Sequence, residues 1–356
     1  MLAIVNSNEY DDHETGAHPE NKERTHVIMD SLEKSGVLNP FESDILEKSN
    51  GSVDVFSPEH ASDSSILKVH SRSYLEYLKS FCNSGGGYLD FDTVVSEKSY
   101  NAAKLAAGGS IMASKLVLNG YDNAYSIARP PGHHARKENA MGFCLFNNVA
   151  IAIENLKEST ELKKFLIFDF DVHFGNGTSE IFRKDPNVMY ISIHQDPKTI
   201  FPGTGFIEEI GEDDGKGFNM NIPMPPRSTS SDYKFILDEL LNPVAKDFDA
   251  DFYFLEVGFD AHEDDPLSSI NLDDEFFPWI TSKMLNITDK MVLILEGGYD
   301  LSVLSRCNMK MINVLRNTND YDEDNYDKLD HEMKVSEETR KILKNIKDNF
   351  SSFYEF

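Results

Sequence analysis

The sequence contains few cysteines, few basic residues and no long hydrophobic run, and each scarcity excludes a class of protein. Its 356 residues include 3 cysteines, too few and too scattered for a disulfide framework or a zinc site ligated by cysteine. No apolar stretch approaches the roughly 20 residues that span a bilayer. The N-terminus also lacks the basic segment typical of a secretory signal. These absences predict a reduced, cytoplasmic protein without a membrane partner.

Basic residues are outnumbered, with 34 Lys and Arg against 61 Asp and Glu and a formal net charge of −27. Nucleic-acid phosphates and anionic membranes require a basic surface, so this charge speaks against both partners. It favours cationic partners in a salt-dependent way. Hydrophobic residues make up 40% of the chain, which is enough for a substantial core and excludes disorder of the whole chain.

Apolar runs of strand length alternate with helical patterns along the chain. Nearly continuous apolar strands are typical of a parallel sheet covered on both faces, and the alternation predicts a doubly wound α/β fold. Active sites of such sheets lie beyond the carboxyl ends of the strands. The clearest strands are 165–170, 188–193, 252–257 and 291–295, and helices are predicted over 20–33, 96–118, 147–156, 232–241 and 275–285.

No repeat or linker divides the chain. Residues 319–332 are crowded with carboxylates, and an amphipathic segment follows over 336–346. We predict one main domain over residues 1–318, with residues 319–356 forming an acidic loop and a C-terminal helix packed on the same domain. A solvated loop is the simpler interpretation of the acidic run, and a docking site for a basic partner is the alternative.

The strand FLIFDF runs directly into DVHFGNGT. Because successive strand residues point to opposite faces, Asp169, Asp171 and His173 share one face. Polar groups at the end of an apolar strand cost free energy on burial unless they are paired or bind a metal, so we predict a site here. A loop ion pair is the alternative that this segment alone leaves open.

The strand over 252–257 is also followed by a carboxylate, Asp260, with Gly258 before it. Asp171, His173 and Asp260 supply two oxygen donors and one nitrogen donor. Three protein ligands that leave an open position are typical of catalytic zinc. The same donors suit Fe(II) or Mn(II), so the residues predict that a metal binds but do not identify which one. The alternative is that Asp260 caps the following turn.

Two histidines and a tyrosine are candidates for acid, base and oxyanion chemistry. His133 and His134 follow the stiff turn RPPG and suit a proton-transfer pair whose pKa values differ because their neighbours differ. Asp169 is a candidate to hold one imidazole protonated. Tyr299 follows two glycines, which predicts a mobile mount for a phenol that donates to an oxyanion. A structural histidine and a buried turn tyrosine are the alternatives.

In order along the chain, RPPGHHA, GFCLFNN, DFDVHFGNGT, FPGTG, VGFDAHEDDPL and EGGYDL match the motifs of one enzyme family. The sequence resembles the zinc-dependent histone deacetylases, a family that includes acetylpolyamine amidohydrolases, and HPENKER and LKVHSRSYLEYL fit as well. The resemblance covers roughly residues 1–315 and is strongest to the class II-like bacterial and archaeal branch. It implies the arginase/deacetylase fold, an eight-stranded, mainly parallel sheet with helices on both faces.

The resemblance also implies roles for individual residues. His134 would take a proton from the nucleophilic water and later serve the leaving amine, while Asp169 would support His133. Asn176 would lie behind His134, where other branches have Asp, and Tyr299 would polarise the acyl carbonyl. The ligands of Zn²⁺, with Fe²⁺ as the alternative ion, would be Asp171, His173 and Asp260.

Further residues would shape the substrate channel. Phe143 and Phe201 would form its two walls around the aliphatic chain of the substrate, with Gly142 between the histidines and Phe143. Asp92 falls near the acidic loop residue that holds the substrate backbone in this family. A structural potassium ion would lie against side chains or carbonyls of Asp169, Asp171, His173 and Ser192.

The implied reaction is hydrolysis of the acetyl amide on a lysine side chain of a protein or peptide. An acetylated polyamine or a longer acyl chain on lysine is the alternative substrate, and the oligomeric state stays open. Polyamine-specific members carry an enlarged loop before the long helix, and the segment 81–96 is short by comparison. This difference favours a lysine deacetylase.

Rival functions lack the residues that they need. A two-manganese hydrolase of the arginase type requires carboxylates where this chain has Gly175 and His262. A non-catalytic acyl-lysine binder would have lost the tyrosine or the histidine pair, and a pure interaction protein would not order polar groups at three strand ends. Two departures from the family pattern are Phe174, where a second histidine is usual, and Glu256, where a small residue is usual.

Overall fold

The computed structural model describes residues 1–38, 53–316 and 335–356. The acidic run over 319–332 therefore lies outside the described residues. The described part contains a large parallel sheet with strand order β2-β1-β5-β10-β9-β6-β7-β8 and a small antiparallel pair, β3-β4. The strands are β1 (Leu2–Val5), β2 (Val53–Phe56), β3 (Gly87–Tyr88), β4 (Val94–Val95), β5 (Asn123–Ser126), β6 (Phe165–Asp169), β7 (Val188–Gln195), β8 (Asn219–Met224), β9 (Phe252–Val257) and β10 (Met291–Leu295).

Helices connect these strands and cover both faces of the sheet. Among the described residues, no helix combines the length and apolar character needed to cross a membrane. The cytoplasmic location stays a prediction. The helices are α1 (Glu23–Ser35), α2 (Asp63–Ile66), α3 (Arg72–Asn83), α4 (Ser99–Leu118), α5 (Asn148–Ser159), α6 (Asn176–Phe182), α7 (Ser230–Phe248), α8 (Phe276–Ile287), α9 (Leu301–Leu315) and α10 (Glu337–Phe350).

Alternate residues of the buried strands enter two hydrophobic cores on opposite sides of the sheet. On β6, Leu166 and Phe168 belong to the larger core, which includes side chains of α1, α7, α8, α9 and α10. Phe165 and Ile167 belong to the second core, with side chains of α3, α4 and α5. A strand buried on both faces typically has a nearly continuous apolar sequence, as β6 does. The predicted doubly wound, eight-stranded α/β fold is confirmed.

The four strands predicted from long apolar runs are all present, with end shifts of one or two residues on β6 and β7. Four strands of the large sheet carry no such signal. β1 and β2 have four residues each, β5 reads NAYS, and β8 reads NMNIPM, with two asparagines and a proline. Short or polar strands give little periodicity, although β5 and β8 are buried along their whole length, so their place in the sheet is set by neighbouring strands.

Helix α10 packs against α7 and β8, and one aspartate of α7 anchors its start. The buried Asp232 carboxylate accepts hydrogen bonds from the backbone N–H of Ser336 at 2.9 Å and from the hydroxyl of Thr339 at 2.9 Å. Burial opposes ionisation of Asp232, but these donors and Thr229 outweigh it and lower its pKa. That the C-terminal segment belongs to the catalytic domain stays a prediction.

We expect Asp232→Ala to lower the free energy of unfolding by about 2 kcal/mol, because it leaves buried donors without an acceptor. Amide hydrogen exchange in 336–350 should accelerate in the same variant. The matched control is Asp238→Ala on the same helix, whose carboxylate is half-exposed and pairs with Lys283. Equal denaturation midpoints for the two variants would contradict the anchoring role of Asp232.

Candidate active site

The candidate site lies where β6, β9 and β10 end side by side. The strand registers set Asp169 opposite Glu256 and Leu295 opposite Val257, so the segments that follow the three strands meet at one edge of the sheet. The chain leaves β6 at Asp169. This places the polar residues predicted after separate strands within one buried region.

Three of these residues form a compact donor cluster. Donor atoms of Asp171, His173 and Asp260 lie within 4.8 Å of one another. The Nδ1 atom of His173 is 3.2 Å from Asp171 Oδ1 and 3.0 Å from Asp260 Oδ2. The backbone N–H of Gly297 donates to Asp171 Oδ2 at 2.7 Å, and that of Val172 donates to Asp260 Oδ1 at 3.0 Å. Backbone N–H groups thus orient both carboxylates of the cluster.

The two buried carboxylates of this cluster give it negative charge that a proton or a metal cation can balance. Burial and the Asp171 carboxylate raise the pKa of Asp260 to about 7. Burial alone would lower the pKa of His173, but hydrogen bonds to the two carboxylates outweigh it and raise the pKa to about 10. A proton on His173 therefore offsets the carboxylates, and a divalent ion bound by the same donors would replace it.

Glycines keep the space beside the cluster free of side chains. A Cβ atom on Gly297 would lie 2.3 Å from Asp260 Oδ2 and 2.4 Å from Asp171 Oδ2, and one on Gly258 would lie 2.4 Å from Asp171 Oδ2. The cluster offers two carboxylates and one imidazole, and the glycines beside it leave no room for further side chains. This donor set fits a catalytic ion such as zinc. Asp171, His173 and Asp260 therefore fit the metal that the sequence predicts.

The histidine pair lies against this cluster. The rings of His133 and His134 are 4.0 Å apart, and those of His134 and His173 are 6.0 Å apart. His133 Nδ1 lies 3.1 Å from Asp169 Oδ2, which also accepts the hydroxyl of Tyr190 at 2.7 Å. The structure brings together the histidines and the carboxylate that the sequence associates with them.

The two histidines have opposite pKa shifts. Burial alone would lower the pKa of His133, but the carboxylates of Asp171 and Asp169 outweigh it and raise the pKa well above its ordinary value. Burial lowers the pKa of His134 far below its ordinary value, and the neighbouring imidazoles reinforce the effect. Such divergence is typical of an acid and a base that share one site.

Asn176 sets the tautomer of His134. Its Oδ1 lies 2.7 Å from His134 Nδ1, and its amide nitrogen donates to Met141 Sδ at 3.2 Å. Because the amide oxygen can only accept, Nδ1 of His134 carries a proton and Nε2 is left as the acceptor. Gly175, before Asn176, has no room for a carboxylate, since its Cβ would lie 2.6 Å from Asp169 Oδ2.

Tyr299 is held firmly beside the cluster. Its backbone N–H donates to Asp265 Oδ2 at 2.7 Å. The Arg24 guanidinium lies 4.9 Å from the centre of its ring and donates from Nε to the carbonyl of Gly298 at 2.7 Å. These contacts lie on both sides of the tyrosine, and the mobile mount stays a prediction. Burial raises the pKa of Tyr299 well above its ordinary value, although Arg24 opposes the shift.

A cavity of about 210 Å³ opens onto these groups. Phe201 lies 5.0 Å from the His134 ring, and Phe143 lies 5.6 Å from the Tyr299 ring, so the two aromatics flank the opening. Gly142 is required here, because a Cβ would lie 2.5 Å from His134 Cδ2. The lining contains the predicted residues Asp92, His133, His134, Gly142, Phe143, Asp171, His173, Phe201 and Tyr299, and also Ile200 and Leu267.

Ser192, one of the predicted potassium ligands, and the two departures from the family pattern lie outside the cavity lining. The hydroxyl of Ser192 pairs with His194 Nδ1 at 2.9 Å, and potassium binding stays a prediction. Phe174 packs against Tyr190 and His194. Buried Glu256 accepts the hydroxyl of Thr178 at 3.3 Å. Burial and the neighbouring carboxylates raise its pKa well above its ordinary value.

Several charged residues around the site carry no role in the sequence analysis. Arg129 makes a paired contact with Glu20, with Nε and Nη2 at 2.9 and 2.8 Å from its two oxygens. Arg24 contacts the same carboxylate, and Glu296 contacts the histidine turn. All four are buried charges inside the motifs HPENKER, RPPGHH and EGGYDL. Their place inside motifs that the family shares was the signal that could have identified them.

Comparisons of sequence and of structure with known proteins both match deacetylases. The histone deacetylase domain model matches residues 18–315. The chain is 41% identical, over all of both chains, to a probable deacetylase of Methanothermobacter thermautotrophicus. It is 38% identical over 72% of its length to a histone deacetylase-like amidohydrolase of Pseudomonas aeruginosa, of which it covers 68%. The solved HDA15 HD domain matches with a TM-score of 0.87 at 29% identity, covering 99% of this chain and 95% of that one.

Proposed function

The chain belongs to the histone deacetylase family, and we propose that it is a metal-dependent amidohydrolase that removes acetyl groups from acetyl-lysine side chains in proteins or peptides. The observation that carries this proposal is the convergence of a donor cluster, a histidine pair and a tyrosine at the inner end of one cavity. Each group would have a role in amide hydrolysis, and the aromatic side chains of Phe143 and Phe201 flank the opening of the cavity.

Asp171, His173 and Asp260 would hold the metal, with Zn²⁺ as the proposed ion and Fe²⁺ as the alternative. A bound ion of this kind acidifies water and polarises an amide carbonyl. The three residues leave an open side toward the cavity, because His173 and Asp171 both contribute to its lining. A potassium ion near Ser192 would be structural.

The histidine pair would divide the proton transfers. His134 is buried, and its lowered pKa favours the neutral imidazole. Its Nδ1 is bound to Asn176, so its Nε2 stays free as an acceptor. His134 would therefore accept the proton of the attacking water at Nε2. The proton would then pass to the leaving amine. His133, protonated and supported by Asp169, would supply positive charge as the tetrahedral oxyanion forms.

Tyr299 would donate its hydroxyl proton as a hydrogen bond to that oxyanion. Its raised pKa keeps the phenol protonated at neutral pH, which a donor requires. The Arg24 cation beneath the ring and the Asp265 hydrogen bond hold the phenol in one place. Collapse of the intermediate would release acetate and the free amine.

The cavity walls suit an aliphatic chain with a neutral acyl end. Phe143, Phe201, Ile200 and Leu267 supply apolar surface, and Asp92 is the carboxylate of the lining that stands apart from the donor cluster. Asp92 would accept hydrogen bonds from the substrate backbone. An acetylated polyamine would instead require carboxylates placed for its further ammonium groups, and it stays the alternative substrate.

A substrate panel tests the proposal. Purified protein with one equivalent of Zn²⁺ or Fe²⁺ should release acetate from acetyl-lysine peptides faster than from acetylputrescine or acetylspermidine, and faster than it releases longer acyl groups from lysine. Mass spectrometry of the peptide and an enzymatic acetate assay give independent readouts. Preference for an acetylpolyamine would favour the alternative, and a metal-loaded protein inert on the whole panel would exclude the enzyme.

The net charge of −27 predicts salt dependence of substrate capture. An acidic surface attracts a basic acetylated peptide, so kcat/KM should fall several-fold between low and high ionic strength. The control is a peptide with the same acetyl-lysine and glutamates in place of the flanking lysines, whose kcat/KM should not fall. If salt affects both peptides equally, the acidity acts on solubility rather than on capture.

A further inference from the structure

We propose that Glu296 is a positioning residue that fixes the turn bearing His133 and His134 relative to Tyr299. The proposal rests on the function proposed above, in which those three side chains act together. Glu296 would touch neither the substrate nor the metal. It would act by accepting hydrogen bonds from the backbone N–H groups of Gly132 and His133.

The contacts of Glu296 link two parts of the site. Its Oε2 accepts the backbone N–H of Gly132 at 2.7 Å and that of His133 at 3.0 Å. Its own N–H donates to the carbonyl of Val257 at 2.8 Å, and its carbonyl accepts from Arg24. Glu296 is fully buried. One side chain thus joins the histidine turn to the end of β10.

The same short segment carries the other half of the site. The residue after Glu296, Gly297, donates its N–H to Asp171, and Gly298 accepts from Arg24 before the chain reaches Tyr299. A shift of the histidine turn against this segment would change the separation between the base and the oxyanion donor. A misplacement of about 1 Å can lower a rate about 100-fold.

These contacts depend on the length of the Glu296 side chain rather than on its charge. Two neutral amides donate to one oxygen, which a carboxylate or a carboxamide can supply equally. Burial raises the pKa of Glu296 to about 7. The other oxygen, Oε1, has no hydrogen-bond partner among the described residues, and donor atoms of His133, Cys144 and Glu296 lie within 4.8 Å. The competing role is therefore electrostatic, through the charge facing His133.

Two substitutions separate these roles. Glu296→Gln keeps the side-chain length and removes the charge. Glu296→Asp keeps the charge but shortens the side chain by one methylene, which withdraws the oxygen by about 1.5 Å. We expect kcat of the Gln variant within about threefold of the parent and kcat of the Asp variant lower by about 100-fold, with KM and metal content unchanged in both. Glu33→Gln and Glu33→Asp, on the exposed face of α1, are the matched controls.

A second measurement does not depend on any substrate. Amide hydrogen exchange of Gly132 and His133 should stay slow in the parent and in Glu296→Gln, and should accelerate in Glu296→Asp. If the parent is inert on every substrate, the proposed function fails while this arm still tests the positioning contact. Full activity of the Asp variant with loss in the Gln variant would overturn the proposal in favour of charge, and unchanged exchange in the Asp variant would overturn it outright.

Discussion

Replacing Tyr299 with Phe is expected to lower kcat for an acetyl-lysine peptide by about 100- to 1,000-fold, the usual effect of removing one oxyanion donor. The substitution removes only the hydroxyl. The ring keeps its contacts with Phe143 and with the Arg24 guanidinium, and the backbone keeps its hydrogen bond to Asp265. KM and bound metal should therefore change little. Steady-state kinetics together with metal analysis of the same preparation measure both effects.

Tyr253→Phe is the matched control for this experiment. Tyr253 is a half-buried residue of β9 and is not part of the cavity lining. Its loss of a hydroxyl should leave kcat within a factor of about two, as for most substitutions remote from a site. Turnover that is unchanged in Tyr299→Phe would show that another group stabilises the oxyanion.

Asp260→Asn is expected to abolish both metal retention and turnover. The amide keeps the size of the carboxylate and can still accept the N–H of Val172, but it cannot supply the charge that a divalent ion requires. Metal analysis should give far less than the one equivalent expected of the parent. Activity should fall by about 1,000-fold or more, because the Lewis-acid contribution amounts to several kcal/mol.

Asp264→Asn controls for charge removal in the same loop. Asp264 is exposed and pairs with Arg306, so this variant should keep its metal and its activity. Chelation of the parent followed by addition of Zn²⁺ or Fe²⁺ should restore turnover, and the more effective ion would identify the preferred metal. Full activity after exhaustive chelation would contradict a metal mechanism.

The sequence was most informative where polar residues interrupt apolar strands. Asp171, His173 and Asp260 stand out because each follows a continuous hydrophobic run, and parallel strands bring such residues to one edge. The tandem histidines stand out because no helix or core explains them. These signals depend on residue type and order, and both are visible in a linear sequence.

Other parts of the site depend on contacts that leave no pattern in the sequence. Arg24 and Glu296 act largely on backbone groups of distant residues, Gly298 for one and Gly132 for the other. A backbone N–H or carbonyl is present at almost every position, so its partner cannot be identified from residue types. The same reason conceals β5, whose residues NAYS are buried by neighbouring strands rather than by their own hydrophobicity.

The position of β10 has a consequence for synthesis of the chain. Among the described residues, β10 is the last strand in sequence, yet it lies in the middle of the sheet, between β5 and β9. Until residues 291–295 leave the ribosome, the strands made earlier can form only two separate blocks, β2-β1-β5 and β9-β6-β7-β8. Each block then exposes an unpaired inner edge, which invites association with other chains. Protection of these edges during translation, by a chaperone or by slow release of the nascent chain, would therefore govern the yield of folded protein.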